Sequence, residues 1–211
     1  MLKSFLKDNG LTVVLGLMFL VSLAGMALTG HATFNKELAE TGAEQVDLLS
    51  YFSTGDFLSA LFENWESEFL QMAVYVILTA MLFQRGSSES RDPDDPERPN
   101  DKVTWRDGHP VAAWLYEHSL GLALGLLFVG SFLSHWWFSM IAVNAEAMRT
   151  GGEVESVWSY LFDSRLWFES FQNWQSEFLS TAVLIVLSIF LRQKGSPESK
   201  PAGAANAESG D

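Results

Sequence analysis

The sequence predicts an all-α integral membrane protein built from two parallel tandem repeats of a two-helix transmembrane unit, with four transmembrane helices in all. Its apolar runs, its internal repeat and the placement of its basic residues support this fold class. A bilayer core about 30 Å thick needs ~20 mainly apolar residues in a helix. Four apolar runs reach or approach that length, at residues 11–28, 70–83, 120–133 and 179–191.

The first run spans the bilayer by itself, whereas the other three need the aromatic stretches beside them, which are typical of membrane interfaces. Thr41-Gly42 and Thr150-Gly151 look like helix stops, because glycine commonly follows the last turn of a helix. We therefore expect the first helix of each unit to project past the lipid before the chain turns. The expected membrane helices cover residues 12–30, 56–84, 113–139 and 165–193.

A shift of 109 residues lays the second half of the chain on the first half without a gap. The densest match is an Asn-Trp-x-Ser-Glu-Phe motif, at residues 64–69 and again at 173–178. Each repeat holds an even number of predicted spans, so both repeats enter the membrane in the same direction. The predicted organisation is a first two-helix repeat (1–90), an acidic, proline-rich cytoplasmic linker (91–110), a second repeat (111–199) and a disordered tail (200–211).

The basic residues predict the orientation. Most of them lie in the N-terminal segment, the linker and the C-terminal tail, and only Lys36, Arg149 and Arg165 lie in the two long loops. Cytoplasmic segments of membrane proteins carry an excess of lysine and arginine. Both termini and the linker are therefore expected in the cytoplasm. The basic residues behind this expectation are Lys3, Lys7, Arg85, Arg91, Arg98, Lys102, Arg106, Arg192, Lys194 and Lys200.

Composition excludes several classes of function. The chain has no cysteine, which removes disulfides, thiolate catalysis and cysteine-based metal sites. Its net charge of −13 argues against a nucleic-acid partner, because phosphate binding needs clustered basic residues. The four histidines lack zinc spacing, and Glu63, Glu66 and Glu68 lack the Glu-x-x-His pattern of di-iron bundles. We expect no cofactor and no enzymatic activity, since no nucleophile–base pair or metal set is visible.

The repeated motif supplies the candidate site. Residues three and four positions apart share one face of a helix, so each motif predicts a polar stripe. Pseudo-twofold packing would bring the stripes together, and two close carboxylates share a proton or hold a cation between them. Alternatively, each glutamate braces its neighbouring helix through the serine and asparagine beside it. The candidate ion or polar site comprises Asn64, Ser67, Glu68, Gln71, Asn173, Ser176, Glu177 and Ser180.

A second set of small residues predicts close helix packing. Gly121 and Gly125 are four positions apart, and Thr12 and Gly16 match them in the first repeat. Small residues at this spacing allow two membrane helices to approach closely. Four helices make a thin bundle, so the sequence is compatible with a homo-oligomer or with a membrane-protein partner. The other expected partners are the lipid bilayer and a cation.

The stretch of residues 62–72, Phe-Glu-Asn-Trp-Glu-Ser-Glu-Phe-Leu-Gln-Met, and the later Gln84-Arg85-Gly86-Ser87 resemble a family of small bacterial membrane proteins that is a domain of unknown function. The resemblance covers nearly the whole chain and implies a four-span protein of the bacterial cytoplasmic membrane. It implies no activity. Our leading hypothesis is a cation or proton pathway through the paired carboxylates, and the alternative is a non-catalytic scaffold or accessory subunit of a membrane complex.

Overall fold

The computed structural model describes residues 2–98, 100, 101, 103, 105 and 107–210, with side chains from Phe5 onward. In this part of the chain every regular element is a helix, as predicted. Lys102, Arg106 and the side chain of Lys3, which contribute to the predicted orientation, lie outside the described residues. The helices are α1 (Leu2–Glu40), α2 (Leu48–Tyr51), α3 (Gly55–Thr79), α4 (Pro110–Glu117), α5 (Ser119–Thr150), α6 (Val157–Tyr160) and α7 (Ser164–Phe190).

Among the residues that the structure describes, three helical segments are long and apolar enough to cross a membrane: Phe5–Glu40, Ser119–Thr150 and Ser164–Phe190. Most of their apolar surface is exposed rather than packed inside the protein. Helix α3 is not one of these candidate spans, although it has 25 residues. Its first half carries Glu63, Glu66 and Glu68, so that only the part beyond residue 68 is free of charged side chains. The structure thus supports a membrane protein with three candidate spans.

The expected helix stops are confirmed. Helix α1 ends at Glu40 and α5 at Thr150, and the glycines that follow, Gly42 and Gly151, have φ angles of 72° and 77°. A residue with a side chain adopts this left-handed conformation only at a cost, which is why glycine ends helices so often. Both helices extend well beyond the apolar run that predicted them, because an apolar run marks the lipid-facing part of a helix and not its ends.

The chain divides into two compact units. One unit comprises the chain up to Leu61 together with Trp136–Tyr160, and the other comprises Phe62–His135 and Leu161 onward. The first unit has an apolar core in which Tyr51 contacts the rings of Phe34 and Phe57, with centroids 5.5 and 5.4 Å apart. This core fixes the loop between α1 and α3. Its buried residues are Ala27, Phe34, Leu38, Tyr51 and Phe57.

Two asparagines of the first unit hold the loops that follow the long helices. The Asn35 side chain donates to the Val46 carbonyl (2.8 Å) and accepts from the Val46 amide (2.8 Å). Asn144, 109 positions later, makes the same pair of bonds with Glu155, at 2.9 and 2.7 Å. An asparagine amide can satisfy a donor and an acceptor at once. Each asparagine therefore ties its helix to the backbone eleven residues further along the chain.

Helices α3 and α5 approach closely at Gly55. A Cβ atom on this residue would lie 2.5 Å from the Ala142 amide nitrogen and 2.8 Å from the Phe138 carbonyl oxygen. We expect Gly55→Ala to lower the free energy of unfolding by about 1–3 kcal/mol, because backbone atoms cannot yield as side chains do. Denaturation in detergent, followed by tryptophan fluorescence, measures this change.

Gly25→Ala is the matched control for Gly55→Ala. Gly25 lies inside α1, and an added Cβ would meet nothing within 4 Å. Alanine is a better helix former than glycine by roughly 1 kcal/mol, so this variant should be as stable as the wild type or more stable. Equal effects of the two substitutions would contradict a close approach at Gly55.

The second unit contains the rest of α3 and α5, the linker and α7. In the linker, Arg85 pairs with Asp94 at 2.8 Å and Arg91 with Asp101 at 2.6 Å. The hydrogen bonds from these two arginines hold the pKa of each aspartate below its usual range. At the C-terminal end, the buried Lys200 ammonium donates to three backbone carbonyls, those of Ala205, Asn206 and Glu208.

Candidate functional site

A fully buried pair of ionisable side chains lies in the second unit. His135 of α5 and Glu66 of α3 both have 0% exposed side-chain area, and His135 Nδ1 lies 2.7 Å from Glu66 Oε2. Burying a charge without a partner is very unfavourable, so such groups are found paired and hydrogen-bonded. The remaining carboxylate oxygen, Glu66 Oε1, accepts from the Trp174 indole at 2.8 Å. Both oxygens of Glu66 are therefore engaged inside the protein.

A second carboxylate approaches the other side of the imidazole. Glu169 Oε2 of α7 lies 3.4 Å from His135 Nε2. The other oxygen of Glu169 accepts from Arg165 Nε, at 3.2 Å and one helical turn away. The Glu169 side chain is 22% exposed. His135 thus stands between a fully buried carboxylate and a carboxylate that is partly exposed at the protein surface. We call Glu66, His135 and Glu169 the histidine cluster.

The contacts of His135 show where the cluster can hold a proton. A neutral imidazole has a single N–H, whereas both ring nitrogens of His135 face carboxylate oxygens. If both carboxylates are ionised, only an imidazolium satisfies both contacts. If the imidazole is neutral, one carboxyl group must carry the extra proton. With ionised carboxylates and a neutral ring, only one of the two contacts is a hydrogen bond, so the cluster has a place for one further proton.

The cluster continues along the facing sides of α3 and α7. Asn173 donates through its side chain to Glu63 Oε1 and to the Glu169 carbonyl. Farther along, Gln71 donates to the hydroxyl of Thr181 and to the Glu177 carbonyl, the latter at 3.4 Å. Positions 63, 67 and 71 of α3 and 169, 173, 177 and 181 of α7 are four residues apart, so they form continuous stripes. We call these hydrogen-bonded stripes the polar interface.

The polar interface includes only part of the candidate site that the sequence predicts. Gln71 and Asn173 bond across it, and the Glu68 charge acts electrostatically on Glu177. The three serines instead donate to carbonyls of their own helices: Ser67 to Asn64, Ser176 to Asn173 and Ser180 to Glu177, at 2.8–2.9 Å. Asn64, Glu68, Ser176 and Ser180 are exposed, whereas Ser67 is buried.

The predicted packing residues have different surroundings. An added Cβ on Gly121 would lie 3.6 Å from Ile77 Cγ1, which is ordinary van der Waals contact with α3. A Cβ on Gly16 or Gly125 would meet nothing within 4 Å, and Thr12 is exposed. Close helix packing through Thr12, Gly16 and Gly125 stays a prediction.

Sequence reasoning missed the histidine cluster because it searched for residues that the two repeats share. At the four charged positions of this site the repeats differ. Glu63 and Glu66 correspond to Gln172 and Gln175, and the counterparts of His135 and Glu169 are Met26 and Ala60. The signal that could have located the histidine cluster is a charged residue whose counterpart 109 positions away in the sequence is neutral. The cluster thus occurs once in the chain, although the motif occurs twice.

Among the residues that the structure describes, no group of three or more histidine, aspartate or glutamate side chains could hold a metal ion. No curated protein and no solved structure matches the chain. One family model matches it over residues 2–211 and is described as a domain of unknown function, DUF6766. The expected resemblance to a family of unknown function is confirmed to that extent. Because the match covers the chain almost from end to end, the protein belongs to the DUF6766 family.

Proposed function

We propose that the protein is a non-enzymatic, multi-pass membrane protein that binds a proton at the histidine cluster and conducts it across the bilayer. The observation that carries this proposal is the fully buried His135, whose two ring nitrogens face Glu66 and Glu169. Ionisable groups within membrane segments are costly and usually mark ion or proton pathways. Histidine suits this role because modest changes in its surroundings move its titration across physiological pH.

The contacts favour a proton over a metal cation. The carboxylate oxygens of Glu66 are occupied by His135 and Trp174, and those of Glu169 by His135 and Arg165. A metal ion would have to displace these bonds, whereas a proton only moves along them. The 22% exposure of Glu169 gives the cluster one route to water, and the polar interface offers hydrogen-bonding groups from Glu63 toward Gln71.

The proposal includes four spans and not three. Beyond Glu68 the rest of α3 is uncharged, and residues 80–83 add further apolar length after the helix. The first part of α3 then lies at the membrane boundary, with Glu63 and Glu66 directed toward partners within the protein. With this fourth span, both repeats enter in one direction, and the positive-inside rule places both termini in the cytoplasm of a bacterium.

Proton flux into liposomes tests the proposal. The purified chain is reconstituted with a pH-sensitive dye inside, and a potassium diffusion potential drives the proton. We expect the wild type to acidify the interior well above the rate of protein-free liposomes. Glu66→Gln removes the charge but keeps an acceptor for Trp174, so it should lower the flux at least ten-fold. Glu153→Gln, which alters an exposed loop carboxylate, is the matched control.

The other outcomes separate the alternatives. A folded wild type that conducts no better than empty liposomes would contradict the pathway and favour the scaffold or accessory subunit. The double variant Glu68→Gln/Glu177→Gln tests the site predicted from the repeated motif. If this variant loses flux while Glu66→Gln keeps it, a pathway exists but does not use the histidine cluster.

A further inference from the structure

An apolar groove lies between the second half of α3 and α7. Its volume is about 340 Å³, within the range of small-molecule sites. The walls come from both helices and from the residues that follow α3, and they are almost entirely apolar. The main apolar residues are Val74, Leu78, Leu82, Phe178, Ala182 and Ile185.

One end of the groove is polar. It is lined there by Gln84, Glu89 and Ser90, which lie in the segment after α3. Glu89 Oε2 accepts a hydrogen bond from the Tyr75 hydroxyl. Glu89 also hydrogen-bonds to Glu198, its counterpart in the second repeat, and this contact raises the pKa of Glu198. The two carboxyl groups therefore lie close together, and Glu89 is the one that lines the groove.

A second cavity of about 390 Å³ adjoins the polar end. The two cavities have Tyr75, Thr79, Glu89 and Ser90 in common, so they adjoin each other at these residues. The second cavity is also lined by Arg91 and Arg98. Arg91 is held in place by two bonds to Asp101, at 2.6 and 2.9 Å. The polar end of the groove therefore brings Glu89 together with Arg91 and Arg98, next to the apolar part of the groove.

We propose that the groove binds one phospholipid whose head group carries a primary ammonium, with an acyl chain between α3 and α7. In this arrangement the phosphate lies at Arg98, because a guanidinium group binds phosphate in a planar, bidentate manner. Arg91 lies beside it, with its terminal nitrogens already donating to Asp101. The ammonium lies at Glu89, where its N–H groups find an acceptor. Basic pockets beside membrane helices are recognised lipid head-group sites. An anionic lipid without an amine would leave Glu89 without a counter-charge.

Retention of lipid by the full-length protein tests this assignment. The delipidated protein in detergent is offered phosphatidylethanolamine, phosphatidylcholine or phosphatidylglycerol with identical acyl chains, and native mass spectrometry counts the bound molecules. We expect one phosphatidylethanolamine per chain, at an apparent affinity at least ten-fold above that for either other lipid. Phosphatidylcholine has the same net charge, but its quaternary ammonium has no N–H to donate.

Two kinds of variant locate the site. Ala182→Phe fills the groove and should abolish retention, whereas Val186→Phe, one turn along α7 and outside the groove, should not. Glu89→Gln leaves the groove open and should remove the preference for phosphatidylethanolamine over phosphatidylcholine. Equal retention of the three lipids by the wild type would overturn the proposal. A preference that survives both Ala182→Phe and Glu89→Gln would overturn it as well, and the flux measurement above is unaffected by either result.

Discussion

Glu66→Leu is expected to lower the free energy of unfolding by about 3–5 kcal/mol, the usual effect of removing one partner of a buried ion pair. The substitution leaves His135 buried without its closest counter-charge, 2.7 Å away in the wild type. It also leaves the Trp174 indole N–H without its acceptor. Denaturation in detergent at constant pH, monitored by tryptophan fluorescence and by circular dichroism, measures the loss.

Glu68→Leu is the control for this experiment. It removes a carboxylate from the same helix, two residues further on, where the side chain is exposed. Its expected effect is within about 0.5 kcal/mol, as for most surface substitutions. The double variant Glu66→Leu/His135→Leu should recover part of the lost stability, because it removes both charges together. Similar effects of Glu66→Leu and Glu68→Leu would show that Glu66 is not buried as a charge partner.

Asn144→Ala is expected to cost about 2–4 kcal/mol, and Asn35→Ala about half as much. Each substitution removes one hydrogen bond to a backbone amide and one to a backbone carbonyl, and a part-buried group left unpaired costs ~1–2 kcal/mol. The two repeats differ in which hydrogen-bond partner is left after the asparagine is replaced. His31 Nε2 lies 2.8 Å from the Val46 carbonyl and can still bond to it, whereas Met140 occupies the equivalent position beside Asn144.

Chemical denaturation of the two single variants under identical conditions tests this order. His31→Met supplies a further check, because it makes the first repeat resemble the second. In that background Asn35→Ala should become about as costly as Asn144→Ala. If Asn35→Ala is instead the more damaging variant in the wild-type background, His31 does not support the Val46 carbonyl as described.

Several local features of the first half of the chain recur 109 residues later, where the local sequence is similar. The two short helices, Leu48–Tyr51 and Val157–Tyr160, lie 109 residues apart. The helices that follow them begin at Gly55 and Ser164, which have the same offset. Gly86 and Gly195 share left-handed φ angles of 85° and 87°. Such features depend on residues close in sequence, so two similar segments adopt similar local structure wherever they lie. This is why the helical class and the helix stops could be predicted.

The number of spans depends on whether the apolar run of α3 outweighs the charged residues that precede it. Helix α3 has the apolar run that predicts a span, but its three glutamates precede that run within the same helix. A hydropathy pattern cannot reveal whether such side chains face lipid, water or a partner. The structure gives Glu63 and Glu66 partners in α5 and α7, which removes the main cost of placing them near a membrane.

The sequence by itself determined that this protein is helical, that it contains long apolar runs suited to a membrane, and that it resembles a family of unknown function. It predicted four spans, whereas the described part of the structure has three candidate spans. Only the tertiary structure brought His135 between Glu66 and Glu169, because these residues are 69 and 34 positions apart and come from three helices. Periodicity places side chains on a face of one helix, whereas helix packing decides which faces meet. The pairing of buried charges is therefore a property of the packing and not of the pattern.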